Sequence, residues 1–171
     1  MGRLFDAVAS LILARHKADF EADLAIRIEK LATNYKLLIF NSLPARPAGK
    51  LRAISYEFKV IKNNDKYILD PAPMFKQIVL DLKARESKEK IAYRFHLTIA
   101  EMIGKTCSLL REETKINDIL LSGGVFQNRL LLNLSLDLLY RREFKVLTHN
   151  MLPCNDSCIS LGQVAIANYR G

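Results

Sequence analysis

Apolar residues open the chain at helical spacing. Leu4, Phe5, Val8, Leu11 and Ile12 recur at i, i+1, i+4, i+7 and i+8, which predicts an amphipathic helix over 3–15. Phe20, Leu24, Ile28 and Leu31 share one face of a second helix, over about 19–33. Pro44, Pro47 and Gly49 mark a loop. The period then drops to two: Ile54, Tyr56, Phe58 and Val60 alternate with Ser55, Glu57 and Lys59, the pattern of a half-buried strand. Asn63-Asn64-Asp65 turns the chain into Tyr67-Ile68-Leu69 and completes a hairpin. Asp70-Pro71-Ala72-Pro73 ends that strand and starts a helix, with proline tolerated in its first turn. Met74, Phe75, Ile78, Val79 and Leu82 form its inward face.

A charged link from Arg85 to Lys90 leads into a long helix ending near Glu113, with Ile91, Phe95, Met102, Thr106 and Leu109 along it. Beyond it the pattern predicts a strand at 117–121, a helix at 125–141, a strand at 144–147 and a last helix at 157–169. Strand, helix and strand read as a right-handed βαβ unit, its two strands parallel and adjacent in one sheet. The intervening helix carries Leu130, Leu131, Leu132, Leu134, Leu136, Leu138 and Leu139, so it needs cover nearly all round. No internal repeat, linker or low-complexity tract interrupts residues 1–171. The chain therefore reads as one helix-rich α/β domain, with its ligand site where loops leave the carboxyl ends of the strands.

Composition narrows the setting. With 171 residues, 50% hydrophobic and 26% charged, the chain has the balance of a globular domain able to bury a sizeable core. It has no run of 18 apolar residues and no apolar signal core at its start, so no membrane partner is expected and a cytoplasmic protein is the default. Met1-Gly2 is followed by Asp6 where a myristoylation signal carries Ser or Thr. Cys107, Cys154 and Cys158 do not make a disulfide framework. Cys154 and Cys158, with His149 nearby, have a spacing that could serve a metal, but unpaired thiols are the simpler reading. The net charge of +8 is spread along the chain without aromatic interleaving. It directs nothing toward nucleic acid and would help hold an anionic nucleotide or an acidic partner.

The candidate chemistry lies at Ile119-Leu120-Leu121-Ser122-Gly123-Gly124-Val125-Phe126-Gln127-Asn128-Arg129. A strand that ends in two glycines at a helix start lets backbone N–H groups close on an anion, with no Cβ in the way. A tight structural turn would use the same residues. Pro153-Cys154-Asn155-Asp156 supplies a second polar loop before an apolar helix, about thirty residues on. His96, between Phe95 and Leu97 on the long helix, reads as a packing histidine.

Three of these segments together resemble the C-terminal part of the HypF carbamoyltransferase family. They are Met1-Gly2-Arg3-Leu4-Phe5-Asp6-Ala7-Val8, Leu121-Ser122-Gly123-Gly124-Val125-Phe126-Gln127-Asn128, and Asn155-Asp156 with Leu161-Gly162-Gln163. The resemblance runs from the first residue to the last helix. It implies a single RNase-H-like lobe of the actin-like, sugar-kinase-like ATPase fold, in which two lobes clamp a nucleotide. It implies the activity too: a carbamoyl group passes from carbamoyl-adenylate, made with ATP, to the C-terminal cysteine of a HypE-like partner during [NiFe]-hydrogenase maturation. On the resemblance, Gly123 and Gly124 approach the nucleotide phosphate, Gly2 and Asn128 belong to the same nucleotide site, Asp6 accepts hydrogen bonds from ribose, and Asp156 ligates a divalent metal. Glu21 also stands where the family tends to keep an acid.

The resemblance implies parts that this sequence lacks: an acylphosphatase-like segment, zinc-finger cysteine pairs, an adenylate-forming domain, and the His-x-x-x-His metal motif of the first lobe. His16, His96 and His149 stand far apart. The expectation is thus a half-site, inactive alone, that needs the N-terminal lobe; the chain would be a piece of a longer protein, a truncated product or half of a split one. Ser157 and Cys158 follow Asn-Asp where the family has two glycines. Two alternatives stand beside this reading: a lobe of a tRNA threonylcarbamoyl transferase, which the positive charge favours, and a non-catalytic nucleotide-binding assembly module.

Overall fold

The computed structural model describes residues 1–15, 17–20, 22–42, 55–64, 66–149 and 151–170. Their order is α1 (Gly2–Leu13), α2 (Asp23–Ser42), β1 (Lys59–Asn63), β2 (Lys66–Asp70), α3 (Ala72–Lys83), α4 (Lys88–Thr114), β3 (Asp118–Leu121), α5 (Arg129–Arg141), β4 (Lys145–Thr148) and α6 (Ile159–Arg170). Short 3-10 turns at Gly124–Gln127 and Asp156–Cys158 precede α5 and α6. The α/β class and its helix-rich character follow directly. No described helix is long and apolar enough to cross a membrane.

Helix α4 is the spine. Ser87 caps it by accepting from the Lys90 amide, and eleven of its residues, Ile91 to Gly104, are buried among α1, α2, α3 and α5. Phe5, Val8, Ala9 and Ile12 bury the inner stripe of α1, and Leu24, Ile28 and Ala32 that of α2. Phe20 was expected on that face, but α2 starts only at Asp23 and Phe20 is exposed. Val79 on α3 is exposed as well, whereas Met74 and Ile78 are buried and Phe75 and Leu82 pack half-buried against the core.

The hairpin pairs β1 with β2 antiparallel, Val60 opposite Leu69. Its first strand starts at Lys59 rather than at 54, and position 54 lies outside the described residues. Tyr56 explains the late start. Its amide donates to Thr98 Oγ1 and its hydroxyl to Asp81 Oδ2, which also takes the Arg94 guanidinium at 2.6 Å. The alternation there marks an anchored coil.

Strands β3 and β4 pair in parallel, from Asp118 opposite Lys145 to Leu121 opposite Thr148. The expected strand–helix–strand unit is present, with α5 between them. A second core of Leu121, Leu139 and Phe144 joins these strands to α5 and to Ile103 and Cys107 of α4. All seven leucines of α5 are buried or half-buried, and its exposed stripe is narrow: Arg129, Asn133, Asp137, Tyr140 and Arg141. Among the described residues the two sheets have two strands each, and Leu120 and Leu147, paired on the far face of β3–β4, are exposed. Helix α6 is exposed along its described length, Ile159, Leu161, Val164 and Ile166 included.

Candidate functional site

Parallel strands deliver their following loops to one edge. β3 leads into Ser122 and Gly123, and β4 leads into His149 and the loop that ends at Asn155. His149 Nε2 and Ser122 Oγ lie 2.9 Å apart, a hydrogen bond that joins the two strand ends. One step further the Gly123 amide donates to the Cys154 carbonyl at 2.8 Å. The Gly-Gly turn and the Asn-Asp loop are thereby held side by side.

The two glycines differ in kind. Gly123 sits at φ 104°, ψ 155°, a region essentially restricted to glycine, although a Cβ there would touch nothing within 4 Å. Its requirement is conformational. Gly124 has no positive φ; a Cβ on it would lie 3.9 Å from Asn155 Cβ, pointing at the neighbouring loop. The Gly123 amide is committed to Cys154. Those of Gly124 and Val125 open the 3-10 turn, where no preceding helical carbonyl can accept them.

Asn128 follows that turn as the N-cap of α5. Its Oδ1 accepts from the Leu131 amide at 2.8 Å, and its Nδ2 lies 2.9 Å from His96 Nε2. The neighbouring Leu130 amide is taken by Glu29 of α2. Neither partner of α5 was legible in the sequence, because Glu29 is 101 positions away from the amide it caps and His96 is 32 from Asn128.

His96 is fully buried, as expected of a packing residue, with Nδ1 2.8 Å from the Ala92 carbonyl. Burial pushes its pKa down to about 4, against a smaller opposing pull from the Ala92 carbonyl. Phe5 of α1 stacks edge-on to it at 5.4 Å. Asp6, next to Phe5, is exposed, and so are Gly2 and Asp156. No side chain caps α1, so the amides of Gly2 and Arg3 begin that helix without an intrahelical acceptor.

Asn155 is the N-cap of the second 3-10 turn, its Oδ1 accepting from the Ser157 amide and hydroxyl, which leaves the Asp156 carboxylate outside the cap. The Cys158 thiol donates to the Pro153 carbonyl at 2.7 Å. Ser157 and Cys158, which stand where glycines were expected, thus stitch their own loop. Among the described residues no three His, Cys, Asp or Glu side chains are grouped to hold a metal ion. Asp156 alone, or Cys154 with Cys158 and His149, does not make a metal centre. Glu21 lies outside the described residues.

Two polar loops thus lie at the carboxyl ends of parallel strands, beside a long buried helix, which is where open α/β sheets take their ligands. Residues 1–163 match the family described as "Carbamoyltransferase, Kae1-like Domain, second subdomain". The chain is 28% identical over 167 residues to carbamoyltransferase HypF of Rhodobacter capsulatus, covering 97% of this chain and 19% of that protein. To carbamoyltransferase HypF of Synechocystis it is 29% identical over 164 residues, covering 96% and 19%. A crystal structure of full-length HypF in the phosphate- and nucleotide-bound form is 37% identical, covers 99% of this chain and 20% of its own, and superposes with TM-score 0.81. HypF from T. kodakarensis shares the fold at TM-score 0.73 and 21% identity, over 98% of this chain and 19% of that one. The chain belongs to the HypF carbamoyltransferase family and spans about a fifth of the length of these relatives.

Proposed function

We propose that this chain is one RNase-H-like lobe of an actin-like ATPase fold, and that it holds the adenine nucleotide while a carbamoyl group moves from carbamoyl-adenylate to the C-terminal cysteine of a HypE-like partner. In that transfer the cysteine sulfur attacks the carbamoyl carbon, the bond to the adenylate oxygen breaks, and AMP leaves with the electron pair. The observation that carries the reading is the Gly123 amide bonded to the Cys154 carbonyl, which sets the Gly-Gly turn against the Asn-Asp loop. The phosphate and nucleotide named for the full-length relative at 37% identity support it.

Each residue has a stated task. Gly123 turns the chain, and Gly124 leaves room for phosphate at amides that lack helical acceptors. Asp6 and the uncapped start of α1 at Gly2 approach the ribose. Asn128 fixes the helix start behind the phosphate. Asp156 offers an exposed carboxylate to a divalent cation whose other ligands come from the rest of the protein. The exposed apolar residues of α6 and of the β3–β4 face, Leu120 and Leu147, are cover for the N-terminal lobe. Three unbridged cysteines suit a cytoplasmic setting.

The test is transfer itself. In the full-length protein that carries this chain, supplied with ATP, carbamoyl phosphate and a HypE-like acceptor, mass spectrometry should find a carbamoyl group on the acceptor's C-terminal cysteine. Gly124→Val should abolish it, and transfer at the unmodified rate by that variant rejects the site.

A further inference from the structure

Helix α4 touches both arms of the proposed nucleotide pocket through one side chain. His96 packs under Phe5, the residue before Asp6, with ring centroids 5.4 Å apart, and its Nε2 reaches Asn128, which closes the Gly-Gly turn. The hydrogen positions in this link are forced by its ends. The Ala92 carbonyl can only accept, so Nδ1 carries the ring proton; the Leu131 amide can only donate, so Asn128 turns Oδ1 toward it. What remains is a bare Nε2 facing an Nδ2–H donor, and the two match. A neutral imidazole of this tautomer fits, whereas an imidazolium would set N–H against N–H. The depressed pKa agrees with this arrangement.

Shape alone does not ask for histidine here. Phe95, Ile99 and Met102 fill the same buried helix without polar atoms, and a leucine would fill position 96. Burying an imidazole is costly unless both nitrogens are satisfied, and here both are. Its distinctive contribution is a directional link: it fixes which way the Asn128 amide points and where the chain re-enters a helix after Gly124.

We infer that His96 is a positioning residue that sets the Gly123–Gly124 turn through Asn128 and keys it to the α1 arm carrying Asp6. It touches no ligand and acts only through those neighbours. The inference deepens the proposed nucleotide site and rests on that reading for its functional consequence, though the geometry of the turn can be read without any nucleotide.

The experiment uses the full chain, labelled with nitrogen-15, and three variants. His96→Leu keeps bulk and loses the link. His96→Gln can place Oε1 where Nε2 stood and still accept from Asn128. Asn128→Ser keeps an N-cap hydroxyl and cannot reach position 96. The Gly123 and Gly124 amide resonances should move, and their hydrogens exchange faster, in His96→Leu and in Asn128→Ser. In His96→Gln they should stay near the unmodified positions. The ring nitrogens of His96 should report the Nδ1–H tautomer. With ADP as the probe and the first subdomain present, the two link-breaking variants should bind at least about tenfold more weakly, and His96→Gln within about threefold of the unmodified protein. Glycine amides that superpose on the unmodified spectrum in Asn128→Ser overturn the inference, even where His96→Leu fails to fold. Should the unmodified protein bind no ADP, the nucleotide reading fails, and the amide spectra still decide the positioning role.

Discussion

The amide of Gly123 donates to the carbonyl of Cys154 at 2.8 Å, so two loops 31 positions apart act as one edge of the molecule. The bond consumes one of the donors expected to face a phosphate. It leaves Gly124 and Val125 as the amides available at that edge, and it gives the two glycines separable roles.

Gly123→Ala should destabilise the fold by about 1–3 kcal/mol through backbone strain alone, since φ is 104° and the added methyl meets no neighbour. Urea unfolding of the variant measures it. A loss below about 0.5 kcal/mol would mean that the turn relaxes to negative φ at little cost.

Gly104 lets α5 approach α4. A methyl there would lie 2.7 Å from Leu138 Cδ2 and 2.8 Å from Arg142 Nη1, and Arg142 is held by Glu101 at 2.8 Å. Gly104→Ala gains about 1 kcal/mol of helix propensity. Displacing the packed Leu138 and the Arg142–Glu101 pair should outweigh it, for a net loss of about 1 kcal/mol. In an Arg142→Ala background the penalty should shrink; an unchanged penalty by chemical denaturation contradicts the contact.

Acid should weaken the fold through His96. The folded chain binds its proton only near pH 4, while the unfolded chain binds it near 6.5. Between those values the unfolded state holds more protons, so stability is full above pH 6.5 and falls as pH drops toward 4, by about 3 kcal/mol in total. Unfolding free energy measured against pH should show a steeper fall for the unmodified chain than for His96→Gln. Parallel curves would place the pKa elsewhere.

Residues 1–171 alone should form no AMP in response to carbamoyl phosphate, because the chain spans about a fifth of its relatives, at 19–20% of their length. Chromatographic detection of metal-dependent AMP formation by the purified chain overturns that expectation.

Most of this architecture was legible in the sequence. The faces of α1 and α3 and the parallel strands flanking a leucine-rich helix follow from burial that repeats every 3.6 or 2 residues, and the hairpin from its turn residues Asn63-Asn64. The errors have local causes. Helix α2 runs to Ser42, not to about 33; Tyr35 continues its core face against Tyr93, but Leu37 and Leu38 are exposed and break the apolar period. α5 starts at Arg129, since a 3-10 turn and the Asn128 cap intervene after Gly124. For the site, Ser-Gly-Gly and Asn-Asp were visible as motifs. Their junction, and the contacts of Asn128 with His96 and of Glu29 with α5, join residues far apart in sequence, where spacing carries no signal.

A phosphate at the Gly-Gly turn can be tested with Gly124→Val, because position 124 has no positive φ and its Cβ would lie 3.9 Å from Asn155 Cβ. Backbone strain therefore does not confuse the result. With the first subdomain present, isothermal titration of ATP into the unmodified and Gly124→Val proteins, each checked by thermal unfolding, compares their affinities at matched stability. The variant should bind ATP at least about tenfold more weakly. Equal affinity at equal stability would contradict a phosphate at the Gly-Gly turn.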